Sequence, residues 1–265
     1  MSRLPAILPC AARPFVYSLL VSVLCLPGLL AAGESTASTE AASTGATRVL
    51  IVTGEDYPGH KWQETTPIVK QELAKDPRLT VEVMEDLRLL ATAKLDTYAA
   101  VVVHFKNYDP QVPGPDGQKN LEQFVQRGGG LVLLHFACGA FQEWPEFVKI
   151  AGRVWNPSMR GHDPHGTFQV VMVDKEHPIT KGLESFDTTD ELYTCLDGDT
   201  PIHILAKSQS KVDGKLYPMA FVLDYGQGRV FHTPLGHDVA AFSTPQVGEL
   251  LRRATAWAAR LDPQP

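Results

Sequence analysis

The stretch RVLIVT at residues 48–53 decides the fold. Its unbroken apolar run is typical of a strand that is buried on both faces. Two later stretches have the same character, AAVVVHF at residues 99–105 and LVLLH at residues 131–135. Because a sheet that is buried on both faces needs helices above and below it, these runs predict an α/β protein.

Helical segments separate these strands in the sequence. Residues 79–84 (LTVEVM) are predicted as a further strand, and helices are predicted at residues 66–75 and 140–150. Thr66 and Pro67 are interpreted as the cap and the first residue of the earlier helix, because proline fits the first helical turn. This alternation of strands and helices predicts a parallel sheet with helices on both faces.

The C-terminal part of the chain has a different pattern. Short strands follow one another there, the segment DYGQG at residues 224–228 is interpreted as a hairpin turn, and an amphipathic helix is predicted at residues 246–260. We therefore expect an added β-rich C-terminal portion. Its predicted strands are residues 168–173, 202–206, 219–223 and 229–233.

Composition excludes several classes of protein. The chain has 265 residues, of which 44% are hydrophobic, so it is long enough and apolar enough to bury a core. The formal net charge is -6, with 24 basic and 30 acidic residues, which argues against nucleic-acid binding through a basic surface. Four cysteines are too few for a disulfide scaffold.

The N-terminal segment has the order of a secretory signal peptide. Residues 1–33 contain Arg3 and Arg13 and no acidic residue, followed by an apolar core and then by small residues. An uncleaved membrane anchor is the alternative, and it is the one route by which we expect the protein to contact a membrane. Residues 34–47 are rich in Ser, Thr and Ala and are predicted to be a flexible linker. The signal-peptide pattern of residues 1–33 predicts a secreted or periplasmic protein.

Histidines recur where the predicted strands end. In open parallel sheets, ligands bind beyond the carboxyl ends of the strands. His60, His104, His135 and His237 each follow such an end, and the loop at residues 54–65 is long enough to be interpreted as a binding loop. A buried, hydrogen-bonded structural histidine is the ordinary alternative for any one of them. Four at one edge predict a site.

Two adjacent carboxylates, Asp190 and Glu191, are further candidates. Neighbouring side chains on an extended chain point in different directions, so we expect one to face a cleft and the other to hold the loop. A carboxylate near neutral imidazoles serves as a general base, a general acid or a metal ligand. The segment GHDPHG at residues 161–166 is by itself weak evidence for zinc, because no distant third ligand accompanies it.

Cys138 lies between a predicted buried strand and a predicted helix, which is the placement of a nucleophile elbow. Phe136 stands where such an elbow has a glycine, which argues against that role. The alternatives are a disulfide with Cys195 in an oxidising compartment and a buried, inert thiol.

Several longer stretches form a known series: VLIVTGEDYPGHKW, AAVVVHF, GGGLVLLH, the pair GH at residues 161–162, DKEHPITKGLESFDTTDELY and YGQGRVFHTPLGHD. They resemble the ThuA-like (trehalose utilisation) family, within the class I glutamine amidotransferase-like superfamily. The resemblance implies a ThuA-like domain at residues 48–262. It also implies a flavodoxin-like three-layer sandwich with a mostly parallel central sheet.

The resemblance also implies a role in carbohydrate catabolism and a single polar pocket. The superfamily's amidotransferases use a Cys-His-Glu triad, and His237 occupies the histidine position here. Cys138 is displaced from the expected elbow, which argues against thiol chemistry. The residues that match the family's polar positions are His60, His135, His162, Glu191, His237 and Asp238.

We therefore expect an exported enzyme that acts on a sugar or keto-sugar glycoside by acid–base chemistry. The catalytic candidates are His237, Glu191 and His135. A divalent metal such as zinc is the cofactor considered, and a small carbohydrate is the expected ligand. The alternatives are a non-catalytic carbohydrate-binding protein and a hydrolase that uses Cys138. The residues predicted to bind substrate are His60, Trp62, His104, His162, Tyr193 and Asp238.

Overall fold

The computed structural model describes residues 45–109 and 111–265. The predicted signal peptide and most of the predicted linker lie outside the described residues. Thr47, the last residue assigned to the linker, begins the first strand. Within the described ranges, no helix combines the length and the apolar character that crossing a membrane requires.

The described residues form nine strands and five α-helices, which confirms the α/β class. The strands are β1 (Thr47–Val52), β2 (Leu79–Met84), β3 (Ala100–Val103), β4 (Gly130–Leu134), β5 (Gly166–Met172), β6 (Phe186–Asp190), β7 (His203–Gln209), β8 (Leu216–Tyr225) and β9 (Gly228–Thr233). The helices are α1 (Trp62–Leu73), α2 (Gly114–Gln126), α3 (Phe147–Ala151), α4 (Val239–Phe242) and α5 (Pro245–Ala258).

The sheet is mixed, not mostly parallel as the sequence predicts. Its strand order is β2-β1-β3-β4-β9-β8-β7-β5-β6. The first five strands are parallel and follow the 2-1-3-4-5 order of flavodoxin-like folds. The remaining four pairings are antiparallel, and a tight turn connects β8 to β9. The β-rich C-terminal portion thus extends the same sheet.

Two apolar layers cover the sheet. Successive side chains of β1 point to opposite faces, so Val49 and Ile51 pack in one core cluster and Leu50 and Val52 in the other. Helices α1 and α5 contribute to the first cluster, and α2 and α3 to the second. The result is a three-layer sandwich, as the unbroken apolar runs predict.

Two helix predictions differ from the structure. Helix α1 begins at Trp62, because the carbonyl of Lys61 accepts the N–H groups of Glu64 and Thr65 and closes a turn there. Pro67 therefore lies inside the helix and not at its first position. The helix predicted at residues 140–150 is reduced to α3, which begins only after Pro145.

Candidate active site

Strand direction brings the functional side chains to one edge of the sheet. Strands β1, β3, β4 and β9 are parallel, so the segments that follow them meet at their carboxyl ends. Strand β6 is separated from β9 by four antiparallel pairings, and four reversals restore the original direction. Glu191, directly after β6, therefore emerges at the same edge as His60, His135 and His237.

These four side chains form a compact cluster. One nitrogen of each histidine and one carboxylate oxygen of Glu191 all lie within 4.8 Å of one another. The Nε2 atoms of His60 and His135 are 3.0 Å apart. Glu191 Oε2 lies 3.6 Å from His135 Nε2 and 3.2 Å from His237 Nδ1. Three imidazoles around one carboxylate form a donor set that suits a divalent metal.

His135 is held in a single orientation. It follows β4 in a left-handed backbone conformation, with φ of 46°, which is rare for a residue other than glycine. Its Nδ1 donates a hydrogen bond of 2.7 Å to the carbonyl of Pro234, so the lone pair of Nε2 points at the cluster. Histidines that bind metal ions are commonly fixed through the other ring nitrogen in this way.

Burial and charge set the protonation of the cluster. Burial lowers the pKa of His135 well below its ordinary value. Burial, together with the charge of His237, also lowers the pKa of His60 to about 4. Burial alone would raise the pKa of Glu191, but His237 and His162 outweigh burial and lower it. Interaction with Glu191 raises the pKa of His237. At neutral pH the cluster therefore contains a carboxylate and at least two neutral imidazoles.

Two buried nitrogen atoms in the cluster lack a hydrogen-bond partner among the described residues. They are His60 Nδ1 and His237 Nδ1, the latter close to Glu191 but outside hydrogen-bonding geometry. Buried polar atoms are rarely unsatisfied in native proteins, and an ion or a water molecule is a usual explanation. The residues present therefore fit a metal ion.

Asp190 holds the two loops of the cluster together. Its carboxylate is fully buried and accepts backbone N–H groups of Glu191 at 2.7 Å, Gly236 at 2.7 Å and His237 at 3.1 Å. Burial raises the pKa of Asp190 to about 7 although these hydrogen bonds oppose the shift. Glu191 faces the cavity while Asp190 holds the loop, which is the division of roles that the adjacent carboxylates predict.

The cluster opens into a cavity of about 240 Å³. This volume lies below the 300–1,000 Å³ typical of pockets for drug-sized ligands, so it suits a ligand about as large as one sugar ring. Aromatic rings supply flat surfaces for such a ligand. The lining residues are Tyr57, Pro58, Gly59, His60, Lys106, Phe136, Cys138, Gly139, Trp155, His162, Glu191, Tyr193 and His237.

Two more of the predicted binding residues line this cavity. His162 Nε2 lies 3.7 Å from Glu191 Oε1, and its Nδ1 donates to the carbonyl of Asp163 at 2.7 Å. The ring of Tyr193 stacks on that of His162 with centroids 5.6 Å apart. His60, His135, His162, Glu191, Tyr193 and His237 are thus brought together, as the sequence predicts.

Three predicted binding residues lie elsewhere. His104 is buried beneath the cavity, where its ring nitrogens contact the hydroxyl groups of Thr65 and Thr66. Trp62 donates its Nε1 hydrogen to Asp56 and thereby fastens the loop after β1. Neither His104 nor Trp62 is among the described residues that line the cavity.

Asp238 is the third of these residues. It caps α4 by accepting the N–H of Ala241 at 2.9 Å, and it pairs with His165 at 3.3 Å. The side chain lies just outside the cavity that His237 lines. Its role in the structure is that of a helix cap.

Sequence reasoning assigns no binding role to several lining residues, among them Lys106 and Trp155. Lys106 stands two residues beyond His104 at the end of β3, so its position at a strand end was a usable signal. Trp155 lies in an irregular segment between α3 and β5, and no local pattern there points to the cavity.

Cys138 is a free, buried thiol in the cavity wall. Burial raises its pKa to about 12, whereas a nucleophilic cysteine needs a lowered pKa. Cys195 is also free, and its Sγ lies 3.6 Å from the hydroxyl oxygen of Tyr217. The structure therefore contains no disulfide between these two cysteines, the pairing considered for an oxidising compartment.

The sequence matches the family model described as "ThuA: Trehalose utilisation" over residues 48–258. This match extends from β1 to the end of α5. No curated protein sequence matches the chain significantly.

Solved structures of similar fold include two ThuA-like proteins. The protein from Parabacteroides merdae is 28% identical, with a TM-score of 0.72 over 83% of this chain and 92% of that chain. The protein from Bacteroides uniformis is 18% identical, with a TM-score of 0.65 over 83% of this chain and 96% of that one. A β-galactosidase from Bacillus circulans shares the fold over 32% of its own chain, with a TM-score of 0.55 and 13% identity.

Proposed function

The chain belongs to the ThuA family, and from that premise we propose that it is an exported enzyme of carbohydrate catabolism. Its substrate is a sugar or keto-sugar glycoside, and its chemistry is acid–base catalysis assisted by a divalent metal. The observation that carries this proposal is the cluster of His60, His135, His237 and Glu191 beside a cavity sized for one sugar ring.

His60, His135 and Glu191 would hold the metal ion. Two histidines and a glutamate are a donor set of catalytic zinc sites, and three protein ligands leave a position open for substrate or water. The carbonyl of Pro234 supports this role, because it keeps the Nε2 lone pair of His135 directed at the cluster. When bound, a divalent metal polarises a sugar oxygen and lowers the pKa of a coordinated water.

His237 and Glu191 form the acid–base pair of the proposal. Glu191 Oε2 lies 3.2 Å from His237 Nδ1, and the carboxylate raises the pKa of His237, which favours the protonated imidazole that an acid needs. In hydrolysis of a glycoside, the C–O bond to the leaving group breaks and the departing oxygen takes a proton from His237. The water that adds to the sugar carbon loses a proton to the His237–Glu191 pair, which restores the protonated imidazole. Asp190 keeps both members in place through their backbone N–H groups.

A non-catalytic carbohydrate-binding protein is the second candidate. The aromatic lining of the cavity, with Tyr57, Phe136, Trp155 and Tyr193, supports sugar binding whether or not turnover follows. A cysteine hydrolase has less support, because the thiol of Cys138 is buried and its pKa is raised to about 12.

Metal analysis combined with a substrate screen tests the proposal. The purified protein should contain about one divalent metal per chain and should turn over disaccharides or their 3-keto forms. His60→Ala and His135→Ala should lose both the metal and turnover, whereas His237→Ala should keep the metal and lose turnover. His203→Ala is the matched control, since that exposed histidine pairs with Asp174 away from the cavity.

The outcomes separate the candidates. Sugar binding without turnover would favour the binding protein, and loss of metal from His237→Ala would make His237 a ligand instead of an acid. Absence of metal from protein saturated with Zn²⁺, Mn²⁺ and Co²⁺ would contradict the metal centre. Export is checked separately by sequencing the N-terminus of extracellular protein, where we expect the mature chain to begin near Glu34.

A further inference from the structure

Lys106 is a cavity residue that the proposed chemistry does not use. It follows β3 and is partly buried, and its Nζ lies 3.5 Å from the hydroxyl oxygen of Tyr57. The ammonium also lies 5.0 Å from the ring centroid of Tyr57 and 5.8 Å from that of Trp155. Two aromatic rings of the cavity wall thus hold the charge at the cavity.

Gly139 leaves room for this side chain. A Cβ atom at that position would come within 3.1 Å of Cδ and 3.2 Å of Cε of Lys106. The lysine stem therefore packs closely against the backbone that follows the segment containing His135. The position of Lys106 in the cavity wall is therefore fixed by packing against the backbone.

Lys106 forms no salt bridge with a carboxylate in the part of the chain that the structure describes. Glu191, the carboxylate among the residues lining the cavity, is surrounded by His135, His162 and His237 instead. Removing a cation from water without a counter-ion is unfavourable, and cation–π contacts compensate only in part. A negatively charged ligand in the cavity would supply the missing partner.

We propose that Lys106 binds a carboxylate of the substrate, so that the cavity selects an acidic sugar such as a uronic acid. The inference rests on the proposed function, because it places the sugar ring between Lys106 and the histidine cluster. It narrows the proposed substrate class from sugars in general to glycosides of a carboxylate-bearing sugar. A bound divalent metal would add to the positive charge that favours such a ligand.

Calorimetric titration with two probes, D-glucuronate and D-glucose, tests this inference. The probes differ at one position, where a carboxylate replaces a hydroxymethyl group. Wild-type protein should bind glucuronate at least about tenfold more tightly, as expected for a hydrogen bond to a charged group. Lys106→Met should lose most of that preference, and Lys106→Arg should keep part of it, because arginine retains the charge.

The matched control is Lys119→Met, which removes an exposed lysine from α2. It should retain the wild-type preference, which excludes an effect of net charge alone. Titrations in zinc and in EDTA separate the contribution of a metal from that of Lys106, and thermal unfolding verifies that each variant is folded.

Two results would overturn the inference while leaving the proposed function intact. One is equal affinity of wild-type protein for both sugars, and the other is a wild-type preference for glucuronate in folded Lys106→Met. Failure of every sugar, neutral or acidic, to bind or to be turned over would contradict the proposed function and the inference together.

Discussion

Glu191 is the residue through which the cavity histidines are connected. One carboxylate oxygen lies near His135 and His237, and the other lies near His162. The three imidazoles surround the Glu191 side chain, which is only 13% exposed. In the proposed function, replacing Glu191 would therefore disturb three histidines at once.

Cys138 is expected to be dispensable for chemistry. Cys138→Ser should keep turnover within a few fold of wild type, because the buried thiol has a raised pKa and is not hydrogen-bonded to an imidazole in the described structure. Burying a hydroxyl group there should lower stability by about 1–3 kcal/mol. Steady-state kinetics and urea unfolding check both statements, with Cys195→Ser as control. A thousandfold fall in kcat of a folded variant would restore the thiol mechanism.

His232 is a buried histidine away from the cluster, and it makes stability depend on pH. Its Nδ1 donates to the carbonyl of Ala151, and burial lowers its pKa to about 4 from an unfolded value near 6.5. The unfolded chain therefore binds the proton more readily than the folded chain between these values. The contribution to stability is complete above pH 6.5 and is lost as the pH falls toward 4.

His232→Gln should reduce this pH dependence. Between pH 7 and pH 5, its loss of unfolding free energy should be about 2 kcal/mol smaller than that of wild type. Urea unfolding at the two pH values provides the measurement. The other buried histidines contribute equally in both proteins, so an unchanged difference would show that His232 is protonated without cost in the fold.

At the scale of elements, the site is built from strand ends and the loops that Asp190 joins. Strand β6 positions Asp190, and the loop after β9 approaches it through the N–H groups of Gly236 and His237. These contacts join the end of β6, which is the outermost antiparallel strand, to the loop after β9, which pairs in parallel with β4. The acid–base pair of the proposal therefore depends on an element that is not itself in the cavity.

Asp190→Asn tests this arrangement. An amide has one accepting oxygen, so at least one of the three backbone N–H groups loses its partner, and we expect a stability loss of about 1–3 kcal/mol. Turnover should fall together with metal affinity, because Glu191 and His237 shift. Asp187→Asn, on the exposed face of the same strand, is the control and should change neither quantity. Full activity and metal content in Asp190→Asn would show that the loops are held by other contacts.

At the scale of the whole molecule, one mixed sheet combines a flavodoxin-like half with an antiparallel half. The parallel half supplies His60, His135 and His237, and the antiparallel half supplies Glu191. The cavity is thus lined by residues from both halves. Neither half alone carries the complete set of side chains.

The sequence by itself determines the parallel half and the presence of a site at its edge. Unbroken apolar runs specify strands that are buried on both faces, and parallel strands must share their carboxyl end, so histidines after those strands meet there. The tertiary structure alone decides that His135 joins the cluster while His104 is buried beneath the cavity, and that Lys106 and Trp155 join the cavity wall. These outcomes depend on pairings between segments far apart in the chain and on the paths of loops. Local periodicity carries no information about either.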